Sequence, residues 1–156
     1  VLDYIGVARS QLDETASIRW CQNPTLNAVF AFYFSQAKEE RIEVEAQLSI
    51  EAQLPVEAAE LSMVFANALE NAIGSCKALP KEKRKIICKC IQQPRFMLQI
   101  ENPFEGEIRF DSEGLPVAAE EGHGIGTRSI VAFCKKHDGL WNYEAKDGWF
   151  RLRISL

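Results

Sequence analysis

Near residue 42 the apolar residues change their spacing abruptly, and that change narrows the possible folds more than any other feature of the chain. Upstream, Leu26, Val29, Phe30, Tyr33, Phe34 and Ala37 recur at intervals of three and four, which marks a helix with one buried face. Asn23-Pro24 supplies its start, an amide cap followed by a proline at the first helical position. Phe32 falls off the stripe and is expected at the surface. From Ile42, the residues Ile42, Val44, Ala46, Leu48 and Ile50 alternate with Glu43, Glu45, Gln47 and Ser49, a strand with one wet face. A sheet wetted on one side must take its helices on the other.

The remaining elements agree with that demand. Pro55 and Glu57 open a second helix with the stripe Leu61, Val64, Phe65, Ala68, Leu69 and Ala72, and a basic break follows at Pro80–Arg84. Two strand-like runs, Ile86–Ile91 and Phe96–Ile100, are separated by Gln92-Gln93-Pro94. Residues 103–122 lack periodicity, and a helix is expected from Gly126 to Lys136. Leu140–Glu144 and Trp149–Leu156 flank Asp147-Gly148, a strong hairpin signal. The order α, β, α, β, β, loop, α, β, β lacks the strict alternation of a doubly wound sheet. It predicts a two-layer α/β sandwich, a mixed sheet with helices on one face.

Two features carry chemistry. Asn67 and Asn71 lie four apart on the second helix and therefore share one face, beside the apolar stripe. Their carbonyl oxygens suit a hard cation such as Mg²⁺ and their amino groups suit phosphate oxygens. Taken alone, the pair is equally a solvated polar face. The second feature is Gly122-His123-Gly124-Ile125-Gly126-Thr127-Arg128-Ser129, a glycine cluster opening a helix. Free N–H groups in a first turn, aided by the helix dipole, bind anions there. Glycines 106, 114, 122, 124 and 126 make up five of the nine, so the segment has the composition of a lid. A dinucleotide-binding reading fits poorly, because the spacing is G-x-G-x-G and no strand precedes it.

Together, the N-x-x-x-N helix, two strands, a glycine-rich loop opening a helix and a closing hairpin resemble the Bergerat-fold ATPase domain of the GHKL superfamily, shared by DNA gyrase, MutL and histidine kinases. Asn67-Ala-Leu-Glu-Asn71-Ala-Ile73 and His123-Gly-Ile-Gly126-Thr-Arg-Ser129-Ile130 are most similar to the ATP-binding domains of AgrC-like bacterial sensor kinases. The likeness covers residues 24–156. It implies a domain over 23–156, preceded by a helical tail over 1–22 that belongs to an upstream segment of a longer protein.

The resemblance further implies ATP and Mg²⁺ as ligands. Asn71 would be the metal ligand and Asn67 a neighbour of the phosphates. Gly124 and Gly126 would form the receiving turn, with the N–H groups of Gly126 and Thr127 as donors. Arg128 would add charge there or be a solvated helix residue. Hydrolytic members carry a glutamate general base at the position of Asn67, and a carboxamide cannot take a proton at neutral pH, so a phosphoryl donor is expected rather than an ATPase. The adenine-binding Asp-x-Gly-x-Gly run is here Asn102-Pro103-Phe104-Glu105-Gly106. Asn102 stands in for the aspartate and only Gly106 survives of the glycines. His123 is expected beside the nucleotide, not as phosphoacceptor, since that histidine belongs to helices upstream.

The implied function is the catalytic domain of a sensor histidine kinase in two-component signalling, inactive alone. Its partners would be the dimerisation and phosphoacceptor helices of a homodimeric, membrane-anchored parent and a response regulator. The alternatives are a non-catalytic interaction module whose adenine pocket is filled by Phe104, and a stand-alone serine kinase of the anti-sigma type. A net charge of −4 argues against nucleic acid, and no apolar run approaches the roughly 20 residues of a membrane span. The five cysteines (21, 76, 88, 90 and 134) have no C-x-x-C spacing and read as buried apolar groups. His137 fits compensation of a helix C-terminus, and Trp20 and Phe32 are candidates for a docking surface.

Overall fold

Asn23 caps the first helix as its sequence position requires. Its Oδ1 accepts from Leu26 N at 3.1 Å, while its Nδ2 donates to Ala52 O at 2.8 Å, tying the helix start to the segment after the first strand. Residues 19–117 and 125–156 of the computed structural model are described here. The helices are α1 (Pro24–Glu39), α2 (Ala58–Lys77) and α3 (Ile125–Lys136). The strands are β1 (Glu43–Ser49), β2 (Lys85–Ile91), β3 (Met97–Pro103), β4 (Leu140–Lys146) and β5 (Trp149–Ser155). One five-stranded sheet runs in the order β1-β2-β3-β5-β4. Only β1 and β2 are parallel; the other neighbours are antiparallel. The expected mixed sheet with helices on one face is what forms.

The core lies between the sheet and the three helices. Leu26 and Phe30 of α1, Leu61, Val64, Phe65 and Leu69 of α2, and Ile130 of α3 are fully buried against Ile86, Cys88, Leu98, Ile100, Leu152 and Ile154 of the sheet. Phe30 meets Phe65 edge-on at 4.9 Å, so aromatic contact joins α1 to α2. All five cysteines are buried free thiols, and burial pushes Cys88 up to about 12 and Cys134 up to about 11, which keeps them unreactive. No helix among the described residues is long and apolar enough to cross a membrane.

Three expectations shift. Residues 19–22, the last of the tail expected over 1–22, are not helical, and the rest of that tail, residues 1–18, lies outside the described residues. Trp20 packs edge-on against Phe34 at 4.7 Å and is half-buried, so it is engaged within the domain, whereas Phe32 is 62% exposed as expected. Strand β3 continues past Ile100 to Pro103, because Asn102 and Pro103 find cross-strand partners in Phe150 and Trp149. This pairing is tertiary, so no local pattern announces it, and it places Asn102 inside the sheet.

The ends of α2 are held by charge. Beyond its C-terminus, Arg84 donates from Nη2 to Lys77 O (3.0 Å), from Nε to Leu79 O (2.9 Å) and from Nη1 to Glu40 O (2.7 Å). One guanidinium thus satisfies terminal carbonyls of both α1 and α2, where a cation also meets the negative ends of their dipoles. At the other end, Glu60 in the first turn accepts from Lys136 Nζ and from His137 Nε2 at the end of α3. His137, expected only to compensate a dipole, therefore also joins two helices.

Removing Arg84 should be costly. Arg84→Ala strands several carbonyls and should lower unfolding free energy by about 2 kcal/mol or more in a urea titration. Arg84→Lys should recover little, because an ammonium cannot span the same fork of acceptors. Glu60 carries a pH dependence. Its hydrogen bonds to Lys136 and His137 hold its carboxyl below the usual carboxylate value of 4.5. A depressed folded value stabilises the fold above the unfolded value, and that contribution fades as pH falls through the folded one. Melting curves should therefore separate Glu60→Gln from the wild type at pH 6–7, and the gap should close as the pH drops below 4.5.

Candidate functional site

Helix α2 presents its second face to the site because its first face is taken by the core. With Val64, Phe65, Ala68 and Leu69 buried, Asn67 turns to the border of the helix layer and is half-buried; Asn71, one turn on, is exposed. Asn67 Nδ2 donates to Met63 Sδ at 3.1 Å, also one turn away. That contact orients the amide, leaving Oδ1 on the side of α3.

The opening turn of α3 arrives there. A Cβ built on Gly126 would lie 3.4 Å from Asn67 Cβ and 3.7 Å from its Oδ1, so the backbone at Gly126 faces the Asn67 side chain with room for about one methyl group between them. Two motifs nearly sixty residues apart in sequence are thus brought face to face. Thr127 is buried, Arg128 is exposed, and the first-turn N–H groups of α3 open onto the same place. His123 and Gly124 fall outside the described residues.

Asn102 forms the floor. It is 2% exposed near the end of β3, on the side facing the helices, opposite Phe150. Its Nδ2 donates to Pro103 O at 3.0 Å. Placing the oxygen there instead would set two acceptors against each other, so Oδ1 points away and serves as the acceptor for anything bound above. Its neighbour Glu101 faces the opposite side of the sheet, where Arg151 donates to it from Nε at 2.5 Å. Phe104 is half-buried, with its N–H bonded to Gly148 O at 2.9 Å. The hairpin turn Asp147-Gly148, both residues at positive φ, thereby anchors the chain leaving β3. Gly106 follows at φ +88° on an exposed loop.

Sequence reasoning did not single out Met63 or Tyr143. Tyr143, on the helix-facing side of β4, has a buried hydroxyl without a hydrogen-bond partner among the described residues. Burial pushes this hydroxyl up, and the Thr127 side chain opposes the push while falling short of a hydrogen bond. The pair sits under the first turn of α3, a polar spot inside an otherwise apolar layer. Neither residue belongs to a motif, so only the fold reveals them. No group of three or more histidines, cysteines or carboxylates sized for a metal occurs among the described residues, so a cation here would rely on neutral amide oxygens and on its own ligand.

Comparison with known proteins agrees with this geometry. No curated protein is matched by sequence. Among solved structures, the nucleotide-free catalytic domain of the histidine kinase ThkA superposes with a TM-score of 0.66 at 13% identity, covering 85% of this chain and 90% of that one. The mycobacterial sensor histidine kinase MprB gives 0.61 at 17% identity, covering 84% and 94%. The cytoplasmic segment of histidine kinase QseC gives 0.55 at 12% identity, covering 99% and 93%. At such identities the likeness is one of fold. The sequence itself matches the GHKL domain family over residues 56–156, a span that holds α2, the glycine turn and the closing hairpin. The chain belongs to the GHKL domain family.

Proposed function

We propose that this domain binds Mg·ATP between α2 and the opening turn of α3, and that it is the catalytic domain of a sensor histidine kinase. The observation that carries the proposal is the close approach of the Gly126 backbone to the Asn67 side chain, with space for about one methyl group between them. It brings a cation-binding type of side chain and a phosphate-binding type of helix terminus to one point. Asn71 and the outward oxygen of Asn67 are suited to Mg²⁺, whose bound charge would neutralise the phosphates. The N–H groups of Gly126 and Thr127 would bind the phosphate oxygens, with Gly124, His123 and Arg128 beside them. Asn102 Oδ1 would accept from the adenine amino group, a neutral counterpart of the carboxylate usual in the family. Gly106 would allow the chain to turn away beneath the base.

Asn67 cannot act as a base, and phosphoryl transfer needs little covalent help from the protein beyond position and charge. Donation of the γ-phosphoryl group to a histidine on the parent's dimerisation helices fits those means. A response regulator would be the onward partner. The chain alone would bind nucleotide and phosphorylate nothing.

Calorimetric titration with a non-hydrolysable ATP analogue tests the reading. Saturable binding is expected with Mg²⁺, and both Mg²⁺ removal and Asn71→Ala should weaken it roughly tenfold, the equivalent of about 1.4 kcal/mol. Absence of binding at millimolar nucleotide would sink it and favour an interaction module that keeps only the fold. The approach of Gly126 gives a second test. Gly126→Ala adds a methyl at ordinary contact distance from Asn67 and should leave affinity within about threefold, with a gain in helix propensity. Gly126→Val drives branched methyls into Asn67, and overpacking of that kind costs about 1–3 kcal/mol, so affinity should fall about tenfold or more.

A further inference from the structure

The sheet face away from the helices is mostly charged, but one end differs. Cross-strand pairing sets Ile91 opposite Met97, Met97 opposite Ser155, and Ser155 opposite Leu140. Ile91 is 41% exposed, Met97 46% and Leu140 65%, so three of four neighbouring strands present an apolar residue to solvent in one row, with Ser155 between Met97 and Leu140. Two residues along, Lys89, Gln99, Arg153 and Asn142 form a parallel row by the same pairings. Between the rows lies a trough of about 380 Å³ whose floor is backbone. One wall is apolar and the other is cationic. No carboxylate lines it, although the whole chain carries a net charge of −4.

The two cations differ in how far they are engaged. Lys89 makes no ion pair among the described residues. Arg153 donates to Gln99 Oε1 at 2.9 Å and lies 3.8 Å from Glu144 Oε2. The floor amides and carbonyls are consumed by the sheet ladder, so an occupant must be held through side chains, which favours a helix over an added strand. Three strand spacings of about 4.8 Å make the trough roughly 14 Å long, the rise of about ten helical residues. A second copy of the trough would bring no carboxylate to meet Lys89 and Arg153.

We propose that this trough docks an acidic amphipathic helix, its apolar stripe on Ile91, Met97 and Leu140 and its carboxylates against Lys89 and Arg153. The trough and the nucleotide site lie on opposite faces of the sheet, so the helix and nucleotide do not compete.

Three synthetic fourteen-residue helical peptides sharing one leucine stripe test this with the whole chain: one flanked by glutamates, one by lysines, and one glutamate peptide with its leucines replaced by serine. Amide chemical-shift titration should show saturable binding of the first, mapped to β2, β3, β5 and β4 around the trough. The lysine peptide should bind about tenfold more weakly, and the serine peptide should not bind. Leu140→Asp, at an exposed position, should abolish binding without lowering the melting temperature by more than a few degrees. Lys89→Glu should narrow or reverse the preference in favour of the lysine peptide. Adding a non-hydrolysable ATP analogue should leave the affinity unchanged. Equal binding of the acidic and basic peptides, a preference untouched by Lys89→Glu, or shifts mapping elsewhere would overturn the proposal. So would self-association through Met97 and Leu140 by a chain that ignores all three peptides, which would assign the trough to a second copy.

Discussion

Helix α2 lies across β3 with Leu61, Val64, Phe65, Leu69 and Cys76 excluded from water, and the placement of the site follows from that burial. Once this stripe is fixed, helical geometry fixes where the adjacent face points, so Asn67 and Asn71 have no freedom to leave the border of the layer. Asn102 is placed by the strand beneath the same helix. The first turn of α3 faces Asn67 because α3 packs against the same helix. Core packing and site geometry are thus one constraint, since a shift of α2 large enough to relieve the core would move every candidate ligand group together.

The polar contacts at the ends of α2 complete that constraint. Arg84 joins its C-terminus to that of α1, and Glu60 joins its first turn to the end of α3. The three helices are therefore linked by directional bonds as well as by apolar contact, which is non-directional and alone would permit sliding. The link at Glu60 runs between the two helices that flank the candidate nucleotide site, at the far end of α3 from the glycine turn.

Much of the fold was legible in the sequence because its signals are local. The period change at Ile42, the cap at Asn23 and the Asp147-Gly148 turn each act over a few residues, and the elements they imply form within a residue or two of the expected bounds. The site was legible only as a set of residue types. The asparagine pair and the glycine turn are local motifs, but their juxtaposition depends on the packing of α2 against α3, which no spacing encodes. Asn102 was identified through family resemblance, whereas its lock onto Pro103 O and its place within β3 depend on pairing with β5. Glu60, Met63 and Tyr143 were missed because their roles arise from neighbours up to 77 residues away or from a face of a helix that carries no motif. Trp20 was misjudged for the same reason, since an aromatic before a helix cap can pack inward or stay free, and only Phe34 decides.

The substitution of neutral amides for carboxylates has a consistent physical meaning. On the proposed reading, Asn67 in place of a general base removes the means to activate water, and Asn102 in place of an aspartate removes a buried negative charge from the floor of the site. A carboxylate at 2% exposure would have to be desolvated with no cation paired to it among the described residues, whereas an amide held by Pro103 O needs none. The acceptor is retained and the cost of the charge is avoided. On the proposed reading, the site draws its negative charge from the nucleotide and its positive charge from Mg²⁺, Arg128 and the N–H groups of α3, while the asparagines stay neutral. On that reading the site would hold a triphosphate without a side chain that activates water, as a donor domain requires until an acceptor histidine is brought to it.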